Sequence, residues 1–226
     1  MQVATIQFFP MRKTIAHQVH GGLTQTSKMP CKSYSLPTAA CQTGAKMAEI
    51  EGSICSECYA DKGFYRLYAA TIEPAQHARL VSLEDPLWVA AMASSIGSDP
   101  FFRWHDAGDL QGLWHLLLIC AVCYLTPNTK HWLPTREYAM IKEFIAAGHE
   151  VPDNLSIRLS AMYPDVPVKV PASLQGIKGI STSNVHTKKN VDAAALGHIC
   201  DAPTKNGECR DCRHCWGAEP VTYGLH

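Results

Sequence analysis

The cysteines nearest the carboxyl terminus are closely spaced. Cys209, Cys212 and Cys215 stand in a C-x-x-C-x-x-C arrangement, and Cys200 lies nine residues upstream of Cys209. A structural zinc site usually takes two separate C-x-x-C pairs, whereas here the middle cysteine would belong to both pairs. Overlapping pairs suit an iron–sulfur cluster, because each iron can take one thiolate from a single loop. The spacing favours a closed cluster over zinc. His214 could replace one thiol in either site, although a solvated loop residue is its simpler role.

A second group of cysteines lies nearer the amino terminus. Cys55 and Cys58 form a C-x-x-C pair, Cys41 is the expected third ligand, and the role of Cys31 stays open. Three thiolates on a four-iron cluster would leave one iron free for a substrate or cofactor, whereas four would give a closed, structural or electron-carrying site. The number of ligands in this group therefore separates an enzyme from a passive cluster protein.

A third C-x-x-C pair, Cys120 and Cys123, lies in the most apolar stretch of the chain, LLLICAVCYL. Free cysteine is among the most frequently buried residue types. We therefore predict that these two are small core residues rather than metal ligands.

The composition of the chain argues against several functional classes. The 226 residues include 20 Lys and Arg and 20 Asp and Glu, giving a net charge of zero, so the strong positive field of a nucleic-acid-binding protein is not indicated. The first residues, MQVATIQFFPMRKT, do not resemble an export signal, and the longest apolar run is about half of the ~20 residues that span a membrane. We expect a cytoplasmic protein with no membrane partner. In a reducing compartment, its 10 cysteines are expected to bind metal or pack rather than form disulfides.

The elements that must position these residues alternate between strand and helix. FFRWHD, HWLPTRE, NLSIRLSA and GISTSNVH predict strands, and SLEDPLWVAAMASSIG, residues 110–126 and EYAMIKEFIAAG predict helices. This order is typical of right-handed βαβ units and a mostly parallel sheet. We predict one α/β domain with a partial (β/α) barrel at residues 67–185, a cysteine segment at 1–66 and a second at 186–226. The polar side of NLSIRLSA is expected to line a cavity for a polar ligand.

Polar residues at the strand ends are the other candidates, since ligands bind at the carboxyl ends of parallel strands. The loop WHDAGDLQ holds a histidine, which titrates nearest neutral pH, and Asp109, whose simpler role is to cap the next helix. An arginine at a strand end could bind a carboxylate or phosphate, or form a structural ion pair. We predict catalytic roles for Arg103, His105 and Asp106, and cofactor-binding roles for Arg136, Arg158, Ser160 and Asn184.

Four strings resemble, in order, the phage gene-product-eighty-eight family: GSICSECYADKGFYR, FFRWHDAGDLQ, HWLPTRE and ECRDCRHCWG…VTYGLH. The C-x-x-C-Y-A element is also similar to that of phage proteins likened to radical S-adenosylmethionine (SAM) enzymes. Those enzymes hold a four-iron cluster with three cysteines at the mouth of a partial (β/α) barrel, and SAM chelates the fourth iron. The chain departs from their compact C-x3-C-x2-C signature, because Cys41 stands fourteen positions before Cys55 and the aromatic Tyr59 follows Cys58.

The resemblance implies two clusters and a function. Three of the ligands, Cys41, Cys55 and Cys58, would hold an open 4Fe-4S cluster, and a second, closed cluster would be held by Cys200, Cys209, Cys212 and Cys215. The resulting hypothesis is an iron–sulfur phage protein of the host cytoplasm with SAM-dependent radical catalysis, a small-molecule or macromolecular substrate and an electron donor. The alternatives are a non-catalytic electron carrier or redox sensor, and a zinc-stabilised binding module.

Overall fold

The computed structural model describes residues 9–26, 28–189 and 192–225. Residues 1–8 and 27 of the predicted N-terminal segment, and residues 190, 191 and 226 of the predicted C-terminal segment, lie outside the described residues. Within the described ranges the helices are α1 (Lys13–His20), α2 (Gln42–Ala48), α3 (Gly63–Leu67), α4 (Ala69–Ser82), α5 (Trp88–Ile96), α6 (Leu113–Leu125) and α7 (Tyr138–Ala146). The strands are β1 (Thr24–Gln25), β2 (Lys32–Tyr34), β3 (Phe101–Trp104), β4 (Lys130–Thr135), β5 (Leu155–Ser160), β6 (Ile180–His186), β7 (His198–Ile199) and β8 (Val221–Gly224).

The strands form one sheet in the order β1-β2-β3-β4-β5-β6-β8-β7. Strand β1 is antiparallel to β2, and every other neighbouring pair is parallel. Most strands that follow one another along the chain are also neighbours in the sheet, so right-handed crossovers place their helices on the same face. The predicted α/β class and mostly parallel sheet are confirmed, and both cysteine segments contribute strands to this sheet.

The predicted elements of the central region correspond to β3–β6 and α5–α7, with shifts of a few residues at their ends. Helix α6 begins at Leu113 rather than at Leu110. The expectation that Asp109 caps it is wrong, because the carboxylate has other partners. Its Oδ1 accepts hydrogen bonds from Leu110 N at 2.8 Å and from Thr135 Oγ1 at 2.6 Å. Asp109 therefore ties the loop after β3 to the end of β4.

The main hydrophobic core lies between the sheet and its helices. The apolar residues of β5, Leu155, Ile157 and Leu159, pack there with Ile119 of α6 and Phe144 of α7. Each such side chain contributes about 1.5–3 kcal/mol when it is fully buried. The alternation predicted for β5 is confirmed, because its polar residues lie on the opposite face.

That opposite face is covered by the C-terminal segment. The hydroxyl of Ser156 donates a hydrogen bond to Gly217 O at 2.9 Å, and the indole of Trp216 donates one to Phe102 O at 2.9 Å. Arg158, which is fully buried, also donates into this segment. The expectation that this side of β5 lines a ligand cavity is therefore wrong for Ser156 and Arg158. Two surface clefts of the described chain lie elsewhere, beside α6 and the loop after α7.

Candidate metal centres

Three free thiols, Cys41, Cys55 and Cys58, form what we call the N-terminal thiol group. Gly44 of α2 lies beside two of them: a Cβ at this position would be 3.5 Å from Cys41 Sγ and 3.8 Å from Cys55 Sγ. Burial raises the pKa of Cys41 to about 12, with further contributions from the charges of Asp109, Cys58 and Cys55. Thiols that raise one another's pKa are close together. A cation bound among them would lower these pKa values and favour the thiolates.

The glycine at position 44 leaves room between these sulfurs. It lies inside α2, where glycine ordinarily costs about 1 kcal/mol relative to alanine. Its backbone does not adopt the left-handed conformation that favours glycine, but a Cβ would approach the Cβ of Cys41 to 3.0 Å. The close approach of the cysteine, rather than the backbone conformation, therefore explains the glycine.

Hydrogen bonds hold this group at the carboxyl ends of β4 and β5. Thr43, next to Gly44, donates through its backbone N and its hydroxyl to the carboxylate of Glu137, at 2.8 and 2.7 Å. Glu137 is buried and follows β4 by two residues. Ile54, beside Cys55, donates its N–H to Met162 O just beyond β5, at 2.9 Å. The first attachment lies two residues after Cys41, and the second fixes the residue immediately before Cys55.

The residues after Cys58 attach to the end of β3. Tyr59 donates its hydroxyl hydrogen bond to Asp106 O, and Tyr65 donates to Asp106 Oδ2 at 2.8 Å. Burial and the charge of Asp106 raise the pKa of Tyr65, so its hydroxyl stays protonated and acts as a donor. The N-terminal thiol group therefore lies at the carboxyl ends of β3, β4 and β5, the edge at which parallel sheets bind ligands.

Cys31 belongs with the C-terminal cysteines and not with the N-terminal thiol group. It shares a small apolar cluster with Cys215, Trp132 and Trp216. Burial raises the pKa of Cys31 to about 12, and Cys209 is the thiol that adds to this effect. Cys209 N also donates to the carbonyl of Lys28 at 3.0 Å. We call the resulting set of five the C-terminal thiol group: Cys31, Cys200, Cys209, Cys212 and Cys215.

Arg158 holds the backbone of this second group in place. Its guanidinium donates to Cys215 O at 2.8 Å, His214 O at 2.6 Å, Gly217 O at 3.0 Å and Glu219 O at 2.8 Å. A fifth bond reaches Thr182 O of β6 at 3.0 Å. Burial lowers the pKa of Arg158 below its usual value, and these carbonyls replace the water that the charge has lost. The cofactor-binding role predicted for Arg158 stays a prediction, but these five contacts are with the protein backbone.

Arg103 lies between the two thiol groups. It donates to the hydroxyl of Tyr59, at 3.2 Å, and to the sulfur of Met29, at 3.3 Å. Its guanidinium also lies 4.5 Å from the centre of the Trp132 ring. The charge of Arg103 is the strongest influence that lowers the pKa of Cys31, although burial outweighs it. The predicted catalytic role of Arg103 stays a prediction; its charge acts on the thiols of Cys31 and Cys209, and its hydrogen bond to Tyr59 reaches the residue after Cys58.

His105 does not reach either thiol group. It has a left-handed backbone, with φ of 52°, and its ring packs 5.2 Å from that of His115 on the helix-covered side of the sheet. Burial, together with His115 and Arg103, lowers its pKa far below the usual value, so the ring is neutral. Its two ring nitrogens and Oδ1 of Asp106 are buried without a hydrogen-bond partner in the described chain. The catalytic roles predicted for His105 and Asp106 stay predictions.

The remaining predicted cofactor-binding residues differ in their surroundings. Arg136 is near the N-terminal thiol group: its charge is the strongest influence that lowers the pKa of Cys55, although burial raises it overall. The hydroxyl of Ser160 has a 3.4 Å bond to Arg158 O. The side chain of Asn184 is hydrogen-bonded to the backbone: its Oδ1 accepts from Val168 N at 2.9 Å, and its Nδ2 donates to Leu196 O at 2.6 Å. The structure therefore brings Arg136, but not Asn184, to the thiols.

Three residues near the N-terminal thiol group are not predicted as site residues by the sequence. Burial raises the pKa of Asp109 to about 6, although its hydrogen bonds oppose this shift, and its charge acts on Cys41. Glu137 and Gly44 are the other two. Glycine at a helical position close after a cysteine is the one local signal that could have indicated a crowded site.

The fold and the thiols define an α/β protein with helices on one face of a mostly parallel sheet and two groups of free cysteines. The chain belongs to the Gene product 88 family, whose model matches residues 11–218. This is the family that the motifs of the sequence resemble. No curated protein and no solved structure matches the chain. Among the helices that the structure describes, none is long and apolar enough to cross a membrane.

Proposed function

We propose that this chain is an iron–sulfur protein whose N-terminal thiol group holds a 4Fe-4S cluster with one iron free of protein ligands. The observation that carries this proposal is the position of Cys31. A closed cluster needs a fourth ligand, and the fourth cysteine of the N-terminal half lies with Cys215 and Trp216 instead. Three thiolates then remain at the carboxyl ends of the strands, the arrangement that leaves one iron open.

The chemistry and spacing of the donors fit such a cluster. Ligands of one zinc ion lie about 3.8 Å apart, as Zn–S bonds of about 2.3 Å require, whereas cluster thiolates bind separate irons. In the described chain, the three sulfurs do not form a set within 4.8 Å of one another. The missing side chain of Gly44 supplies space between two of them. A cluster would also remove the protons of thiols whose pKa burial has raised.

We further propose radical chemistry of the SAM-dependent class at this edge of the sheet, with a partial barrel as its scaffold. When bound, an open cluster supplies one electron to a sulfonium cofactor. Arg136 would orient an anionic group of that cofactor or of the substrate. Asp109, whose pKa of about 6 is near neutral, would hold or release a proton beside Cys41. Neighbouring strands in sequential order favour the curvature of a partial barrel.

A non-catalytic electron carrier is the second candidate, because Arg103 touches residues beside both thiol groups. The predicted closed cluster of Cys200, Cys209, Cys212 and Cys215 would then exchange electrons with the first. Anaerobic purification of the full chain tests the shared part of both proposals. We expect iron and sulfide at about four of each per N-terminal site, and zinc alone would contradict the proposal.

Cysteine variants locate the cluster. Cys55→Ser should remove the iron of the N-terminal site, while Cys120→Ala, a change in the apolar core, should leave it bound. Adding SAM to the reduced protein should change the electron paramagnetic resonance spectrum of the wild type. An unchanged spectrum, with the iron still present, would favour the electron carrier over the enzyme.

A further inference from the structure

Two pairs of ligand-type residues with the same spacing meet in the C-terminal segment. One pair, His198 and Cys200, reads H-x-C, and the other, Cys212 and His214, reads C-x-H. His198 N donates to Pro220 O at 2.8 Å and Cys200 N donates to Thr222 O at 2.9 Å, so both follow the same extended ladder along β8. Residues two apart on an extended strand project to the same side. His198 and Cys200 therefore present both side chains to one face.

The second pair lies close to the first. Ligand atoms of His198, Cys212 and His214 all lie within 4.8 Å of one another, and the two imidazole rings stack with their centres 3.6 Å apart. Burial raises the pKa of Cys200, and among the neighbouring charges Cys212 raises it most. Three side chains, those of His198, Cys212 and His214, thus converge from two separate stretches of backbone, and Cys200 follows His198 on the same face. This is the pattern of a structural zinc site, in which two pairs approach the ion from different directions.

The spacing suits one ion better than an iron–sulfur cluster. Bonds of about 2.0–2.1 Å from zinc to nitrogen and about 2.3 Å to sulfur place neighbouring ligand atoms about 3.3–3.8 Å apart. Small rotations would bring the ligand atoms of His198, Cys212 and His214, which already lie within 4.8 Å of one another, to this separation, and Cys200 would complete the set. The thiolates of a cluster bind different irons and must stay farther apart.

The chain between β7 and β8 contains little regular secondary structure. Strand β7 has two residues and lies at the edge of the sheet. Between β7 and β8 the regular elements are two short 3-10 turns, at Ala202–Lys205 and His214–Trp216. The cysteines of this stretch are all free thiols, so no disulfide fixes the loop. Small segments with few buried apolar side chains commonly rely on a metal ion for this purpose.

We propose that His198, Cys200, Cys212 and His214 bind one zinc ion that fastens β7 to the cysteine loop. With four protein ligands the site is closed, so its role is structural. The assignment differs from the predicted closed cluster, which would use Cys209 and Cys215 in place of the two histidines. It does not depend on the N-terminal iron, which occupies other residues.

Metal analysis of the full chain tests the site. Protein produced with zinc supplementation should contain one zinc per chain in addition to any iron, and cobalt(II) should replace it with the visible absorption of a tetrahedral thiolate site. The double variant His198→Asn with His214→Asn should lose this metal. His77→Asn, at an exposed position on α4, is the matched control and should retain it.

Two further variants distinguish loss of ligands from loss of fold. His214→Cys should still bind cobalt, with stronger thiolate-to-cobalt absorption than the wild type. Cys209→Ser should also keep the zinc. Iron and sulfide that survive the histidine double variant but are lost from the C-terminal site in Cys209→Ser would overturn the proposal in favour of a closed cluster. Failure of the wild type to bind either zinc or cobalt would overturn it as well. Iron counted in the same samples reports separately on the N-terminal site.

Discussion

Arg158 is expected to control the stability of the C-terminal segment. Arg158→Met keeps a long side chain but removes every donor to its five carbonyl partners, four of which belong to residues 214–219. A buried polar group left without a partner costs about 1–3 kcal/mol. Because two of the five carbonyls keep another donor, Gly217 O from Ser156 and His214 O from Gly217 N, we expect a net loss of about 4 kcal/mol in the free energy of unfolding. This is a large share of the roughly 5–15 kcal/mol that stabilises a typical domain.

Urea denaturation of the metal-free protein measures this loss, and limited proteolysis with mass spectrometry locates it. We expect new cleavage sites within residues 192–225 of Arg158→Met. Arg158→Lys should be intermediate, because a lysine has three donors and cannot reach all five acceptors. The control is Arg136→Met: Arg136 donates one such bond through its Nε, to Ala161 O at 3.0 Å, so the change should cost about 1 kcal/mol.

The reasoning fails if Arg158→Met unfolds within 1 kcal/mol of the wild type and shows the same cleavage pattern. A different outcome would support the cofactor-binding role instead. In that case iron or anion binding would be lost in the variant while the free energy of unfolding stayed the same.

Three other changes test the N-terminal thiol group and its surroundings. Gly44→Ala should lower bound iron severalfold, because crowding of about 1–3 kcal/mol outweighs a helix-propensity gain of about 1 kcal/mol; unchanged iron content would refute the glycine argument. The pKa of Asp109, raised by burial to about 6 from 3.8, means that the folded metal-free protein binds this proton more tightly than the unfolded chain. Stability should therefore fall by up to about 3 kcal/mol as the pH rises from about 4 to about 6, and Asp109→Asn should flatten that slope in urea titrations. Arg103→Gln should slow the alkylation of Cys209 in metal-free protein, since the charge of Arg103 lowers the pKa of that thiol. Arg136→Gln should leave its rate unchanged, and equal slowing by both variants would contradict the assigned positions.

The local pattern of the sequence is sufficient to predict the central strands and helices. The alternation around Ile157 and the apolar run that becomes α6 each reflect which faces are buried, and burial is read from neighbouring residues. The side of the sheet that each β5 residue faces was therefore predictable. The segment that covers the polar side was not predictable, because four of the partners of Arg158 are backbone carbonyls 56–61 residues away, and a backbone carbonyl is the same in every residue type.

The grouping of the cysteines shows the same limit. Cys55 and Cys58 are neighbours in sequence, so their proximity follows from spacing alone. Cys31 is nearer to them in sequence than to Cys209, yet it lies with Cys209 because β2 pairs in parallel with β3, with Lys32 opposite Phe102. A pairing that joins residues 70 positions apart depends on the whole sheet. The separation of Cys31 from the N-terminal thiol group, on which the proposed enzyme rests, could therefore be found only from the fold.

The order of the strands explains why the chain keeps two separate thiol groups. Successive parallel strands joined by right-handed crossovers place their helices on one face, and the other face must be covered by something else. Here the C-terminal segment covers it, held by Arg158 and by the indole of Trp216. That segment carries its own cysteines onto the face of the sheet, while Cys41, Cys55 and Cys58 lie at its carboxyl edge. A metal bound in the covering segment, as proposed, would be chemically independent of one bound at the edge. The two proposed sites should therefore bind and lose metal independently, although Arg103 donates hydrogen bonds to residues near both, Tyr59 and Met29.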